Sequence, residues 1–167
     1  MATAGALALV GALLLAATSV SAATAEPARG LAGLATIGVD VELDPSQTSL
    51  SSAELMRRID SRLRTAAPAL TLDPASSSRL RFSVVVRPYS ATALRGFWLP
   101  FSGTYGIGPV RLSVERTAVV TGVSTPVLAS VWHAERQAAG PWRDSPAEIV
   151  RLLDETLSEF LAAYHRR

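Results

Sequence analysis

The segment Asp144 to Tyr164, DSPAEIVRLLDETLSEFLAAY, constrains the fold more than any other. Ile149, Leu153, Leu157, Phe160 and Tyr164 recur at helical spacing, widened by Leu152 and Leu161, while Arg151, Asp154, Glu155, Ser158 and Glu159 fall on the other side. Ser145, Pro146 and Glu148 read as N-cap, first helical residue and capping-box partner. The apolar stripe is about 100° wide and has to be buried against another layer. The segments upstream must supply that layer, and their patterning is that of strands.

Ile37, Val39, Val41 and Leu43 alternate with Thr36, Gly38, Asp40 and Glu42, the period of a half-buried strand. Asp44-Pro45 ends it. Ser51 and Glu54 form a second capping box, with Leu50 and Leu55 as a hydrophobic staple. Leu55, Ile59, Leu63 and Ala66 make the stripe of a helix that stops before Pro68. Leu70 to Ser78 reads as a loop. The spacing predicts further strands over Leu80–Arg87, from Val110 to about Val120, and from Val127 to about Glu135. Tyr89–Pro109 reads as a long connection, and Gln137–Arg143 leads into the last helix. Consecutive strands with short links favour an antiparallel meander. The expected fold class is α+β, a two-layer sandwich: a four-stranded, mainly antiparallel sheet with two helices on one face, in the order β-α-β-β-β-α.

Residues 1–25 read as a signal peptide. An apolar run of about 12 residues suits a leader better than a span, and Val20-Ser21-Ala22 and Ala23-Thr24-Ala25 are both small-x-small cleavage sites. No Arg or Lys precedes the run, so a retained N-terminal anchor is the alternative. Residues 26–34 read as a flexible lead-in and 35–167 as a single domain, large enough for one core. The absence of cysteine excludes a lipobox, disulfides and thiol catalysis. All 16 basic residues are arginine and the net charge is +2, too small for a nucleic-acid surface. The class implied is an exported bacterial protein, periplasmic or secreted, without a membrane span once the leader is removed.

Catalytic signatures are sparse. His165 falls at the C-terminus and His133 on a strand beside Trp132; a structural or surface role competes with that of a base. Two histidines without cysteine make a poor zinc set. There is no G-x-S-x-G elbow. Gly106-Ile-Gly108 is followed by Pro109 and a strand, not by the helix a phosphate cradle needs. Asp154, Glu155 and Glu159 read as a solvated helix face. The expectation is a non-enzymatic chain with no cofactor and no metal.

Two features carry binding potential. Phe97, Trp98, Leu99, Phe101 and Tyr105 are concentrated in a short glycine- and proline-punctuated stretch. They suit a partner-binding loop, or a lid over the sheet's end. Arg81, Arg87 and Arg111 fall on the non-core face of their strands. They suit an anion-facing surface for lipid or another envelope polymer, or ordinary pairing with Asp40, Glu42, Glu115 and the acidic last helix.

Thr104-Tyr105-Gly106 before a valine-rich strand, Val131-Trp132 late in the next strand, and Leu152-Leu153-Asp154 with Phe160-Leu161 in the final helix complete a pattern. With the element order and the leader, it resembles small exported bacterial envelope domains. These include the lipopolysaccharide-assembly lipoprotein of the outer membrane and auxiliary lipoproteins of envelope transporters. The chain departs from those lipoproteins in having no lipobox cysteine. The export signal, the small α+β scaffold, the sparse catalytic residues and the aromatic loop together point to a non-enzymatic accessory domain of the cell envelope that binds a protein partner. A carrier or sensor of an amphipathic anion such as lipid is the alternative.

Overall fold

The computed structural model describes residues 30–44, 49–90, 103–119, 121–122 and 125–167. The leader and Phe97, Trp98, Leu99 and Phe101 lie outside the described residues. The strands are β1 (Thr36–Leu43), β2 (Thr71–Leu72), β3 (Ser78–Val84), β4 (Arg87–Ser90), β5 (Thr104–Ala118) and β6 (Val127–Pro141). The helices are α1 (Ser52–Ala66) and α2 (Ser145–His165), the latter entered through a 3-10 turn, Trp142–Asp144.

The α+β class holds, but the sheet is mixed and, among the described residues, has six strands. β1 runs parallel to both β2 and β3, whereas β3, β4 and β6 are antiparallel to β5. The parallel pair follows from the connection: α1 carries the chain back to the start of β1 before β3 begins, as a crossover must. The meander is confined to the part of the chain joined without helices. Val84↔Val110 and Arg87↔Ile107 belong to one register, so β4 continues the line of β3 along the same side of β5. Val85 N–H donates to the Pro109 carbonyl at 3.0 Å, but Pro109 has no N–H to return, and the ladder is interrupted there. β6 occupies the other side of β5 over nearly its whole length.

Both long strands exceed the sequence expectation. β5 begins at Thr104 and absorbs the last part of the expected connection, Thr104–Pro109, and β6 runs through Gly140 to Pro141. Glycine marks close approach here, not chain breaking: a β-carbon on Gly106 would collide with the Ser145 hydroxyl below it. Ser78 to Val84 shows strict alternation of buried and half-buried residues.

The core lies between one sheet face and the two helices. Ile37, Leu80, Phe82, Val84, Val110, Leu112 and Val114 contribute from the sheet, with Trp132 and Ala134 from β6. Leu55, Ile59 and Leu63 of α1 and Ile149, Leu153, Leu157 and Phe160 of α2 meet them, all almost fully buried. α1 lies mainly over β1, and α2 over β5 and β6. Each fully buried Leu, Ile or Phe contributes about 1.5–3 kcal/mol of transfer free energy. Trp132 and Phe160 meet edge to face with centroids 5.5 Å apart.

Three local expectations are corrected. Neither Ser51 nor Ser145 makes a capping hydrogen bond. Ser145 is already helical because the 3-10 turn displaces the cap to Asp144, and Glu148 pairs with Arg151 instead. Within the expected lead-in 26–34, Leu31 and Leu34 are core residues, buried at 0% and 1% exposure. Ala67, beyond the helix end, is more buried than Ala66 of the expected stripe.

Candidate binding surface

Among the described residues no helix covers the second face of the sheet, and the register dictates what that face displays. Gly38, Asp40 and Glu42 of β1 stand beside Arg79, Arg81 and Ser83 of β3. These in turn stand beside Glu115, Ser113 and Arg111 of β5. Beyond them lie His133 and Glu135 of β6.

Most of these charges are ion-paired with one another. Arg79 Nε donates to Asp40 Oδ2 at 2.7 Å, a second guanidinium nitrogen reaches Oδ1, and Nη1 donates to the Pro74 carbonyl at 2.6 Å. The Arg79 hydrogen bond holds the Asp40 carboxyl below the ordinary aspartate range. Gly38 makes room for this guanidinium, since a β-carbon there would collide with it. Arg81 lies between Glu42 at 3.6 Å and Glu115 at 3.5 Å. Arg111 donates to Glu135 through Nε at 2.8 Å and Nη2 at 2.5 Å. Of the three candidate anion-facing arginines, Arg81 and Arg111 are therefore neutralised by carboxylates.

The third, Arg87, has a different environment. The face changes character beyond Arg111, where Val85, Tyr89 and Ile107 are 46%, 48% and 39% exposed. Tyr89 pairs with Tyr105 across the ladder and Arg87 with Ile107, and the odd-numbered residues share the uncovered face. Tyr105 is half-buried. Arg87 is exposed amid these apolar groups and has no ion-pair partner among the described residues. Two separate sequence candidates, Tyr105 and Arg87, thus meet in one patch. Aromatic residues and arginine in an apolar setting form the composition of interaction surfaces. Sequence reasoning missed Val85, Tyr89 and Ile107. Tyr89 and Ile107 were assigned to a connection; only the pairing of β4 with β5 brings them onto the face.

Other clusters offer less. A groove of about 650 Å³ between the helices is lined by Arg57, Arg58, Arg62, Glu54, Ser61 and Asp154. Its centre is the bidentate pair of Arg58 with Asp154, at 2.9 and 2.5 Å, and it opens to solvent. His165 hydrogen-bonds through Nε2 to the Ala66 carbonyl at 2.9 Å, and His133 is exposed. Among the described residues no group of three His, Asp or Glu is placed to hold a metal ion. Among them, too, no helix is long and apolar enough to cross a membrane.

No protein-family model and no curated protein matches the chain. Among solved structures, a minor lipoprotein from Acinetobacter baumannii is similar to it at 12% identity, over 77% of this chain and 94% of that one, with a TM-score of 0.38.

Proposed function

We propose that this chain is a non-enzymatic accessory domain, exported to the bacterial cell envelope, that binds a protein partner through the apolar end of its uncovered sheet face. The observation that carries the reading is the cluster of Val85, Tyr89, Ile107 and Arg87 beside Tyr105, exposed on a rigid antiparallel ladder. Export is supported by the leader-like residues 1–25. The non-enzymatic part rests on the sparse catalytic signatures of the sequence, with two histidines, no cysteine and no G-x-S-x-G elbow.

One observation favours a second reading, the carrier or sensor of an amphipathic anion. Arg87 stands among apolar side chains with no carboxylate partner among the described residues, and a headgroup phosphate or carboxylate suits a guanidinium fork.

A photo-crosslinking amino acid placed at Tyr89 in living cells separates the two. A discrete protein adduct that disappears with Ile107→Ser supports the first reading and identifies the partner. A lipid adduct supports the second. No adduct from position 89, with none from position 98, overturns both.

A further inference from the structure

We propose that β6 is a self-association edge: it pairs antiparallel with β6 of a second copy about a two-fold axis at Ala134, joining two sheets into one. This rests on the edge of the sheet and does not depend on the reading of its uncovered face.

β6 is 15 residues long and pairs only with β5 among the described residues. A typical strand has about 5–6 residues, and edges are usually short or guarded by lysine, proline or bulges. This chain has no lysine, and proline enters β6 only at its last position. Its ladder carries one bulge among the described residues, at Val131 between Ser130 and Trp132, which leaves Trp132–Pro141 as the regular stretch of edge. The outward direction of the edge is fixed by a hydrogen bond: Arg136 Nη1 donates to the Glu135 carbonyl at 2.8 Å, so that carbonyl does not face β5. Alternation then points the main-chain groups of His133, Glu135 and Gln137 outward.

The side chains select one register. Antiparallel partners must share a face, so a two-fold axis has to pass through a residue and not between residues. An axis at Glu135 sets glutamate opposite glutamate, one at Arg136 sets arginine opposite arginine, and one at His133 sets the two imidazoles together. An axis at Ala134 sets His133 opposite Glu135 of the second copy, twice. On the other face it sets Trp132 opposite Arg136 of the second copy. Opposite charges and a cation beside an indole are the favourable cross-strand pairs. Ala134 is also the centre of the bulge-free run Trp132–Arg136, which this register pairs with its own copy. In the pair the His133 amide of the second copy takes over the Glu135 carbonyl from Arg136, which keeps its ion pair with Glu159.

The full chain tests this directly, because it contains no cysteine. Ala134→Cys introduces one thiol, on the axis, where non-hydrogen-bonded partners lie about 4.5 Å apart, within disulfide range. Oxidation is expected to give a covalent dimer with Ala134→Cys and little with Glu135→Cys. Sedimentation velocity of the unmodified chain is expected to show a dimer. His133→Glu, at an exposed site, should weaken it at least about tenfold by setting Glu opposite Glu twice. A wild-type monomer at ~100 µM, well above ordinary specific affinities, overturns the proposal, as does a dimer that His133→Glu leaves unchanged. Gly30 lies against the Val131 carbonyl, making the residues before it the competing occupant of the edge. A monomer with outward amides of 133–137 protected from hydrogen exchange would show that occupant and overturn the proposal.

Discussion

Gly108 lies so close beneath the carbonyl of Val85 that a β-carbon on it would overlap that oxygen. The contact sits where the β3–β4 line crosses Pro109 and loses one ladder bond, so the two strands close up over a residue without a side chain. Gly108→Ala has to push main chain away from main chain. It is expected to cost about 1–3 kcal/mol in urea unfolding. Gly103→Ala, with no atom near the new methyl, stays within about 0.5 kcal/mol.

Asp40 supplies a pH dependence. Its folded pKa is lowered, chiefly by the hydrogen bond from Arg79, relative to about 3.9 in an unfolded chain. A lowered carboxylate pKa contributes stability that is present above the unfolded value and lost as pH falls through the folded value. The pair is partly exposed, at 25% and 31%, so its worth is on the order of 1 kcal/mol. Asp40→Asn is therefore expected to be less stable than wild type at pH 7. In parallel unfolding series the difference should shrink as pH falls below the unfolded value and vanish once the carboxyl of the folded chain is protonated.

Phe160 is completely buried against Trp132 and Tyr164. Phe160→Ala should cost about 3–5 kcal/mol, because the rings around it cannot collapse into the space. The near-ultraviolet circular dichroism of Trp132 should weaken in the folded variant. A loss below 1 kcal/mol would show that α2 does not anchor the core through this residue.

Tyr89→Ser and Ile107→Ser lie on the uncovered face, where truncation removes little packing. Each is expected to leave unfolding within about 0.5 kcal/mol of wild type. Each should reduce partner capture by about tenfold or more, the scale of an interface hot spot. Equal losses of stability and capture would mean that the patch serves the fold and not a partner.

The legible part of this fold was its periodicity. Leu80, Phe82 and Val84, or Ile149, Leu153 and Leu157, declare which face they bury, because period two and period 3.6 are local properties. The direction in which β1 meets β3 is not local; alternation reads the same in parallel and antiparallel pairs. Gly106, Gly108 and Gly140 read as chain breakers because the atoms that crowd two of them come from distant segments. Ser145 fits a cap by sequence, yet tertiary packing places it under Gly106 and buries it. The arginine candidates were legible as a face. Only the register shows that Arg81 and Arg111 are answered by Glu42, Glu115 and Glu135 while Arg87 joins the tyrosines.

Arg167 donates to the carbonyls of Leu31 and Leu34 and lies 3.8 Å from the centre of the Tyr164 ring. Arg167 is thereby stitched to the first described turn, so the two ends of the described domain lie at one corner. Tension between Gly30 and Arg167 loads two guanidinium contacts at once: that of Arg167, and that of Arg116 in β5, which donates to the Gly30 and Ala32 carbonyls. Pulling between Gly30 and Arg167 should give a first rupture at a force that Arg167→Ala lowers and that the contacts of Arg116 still resist.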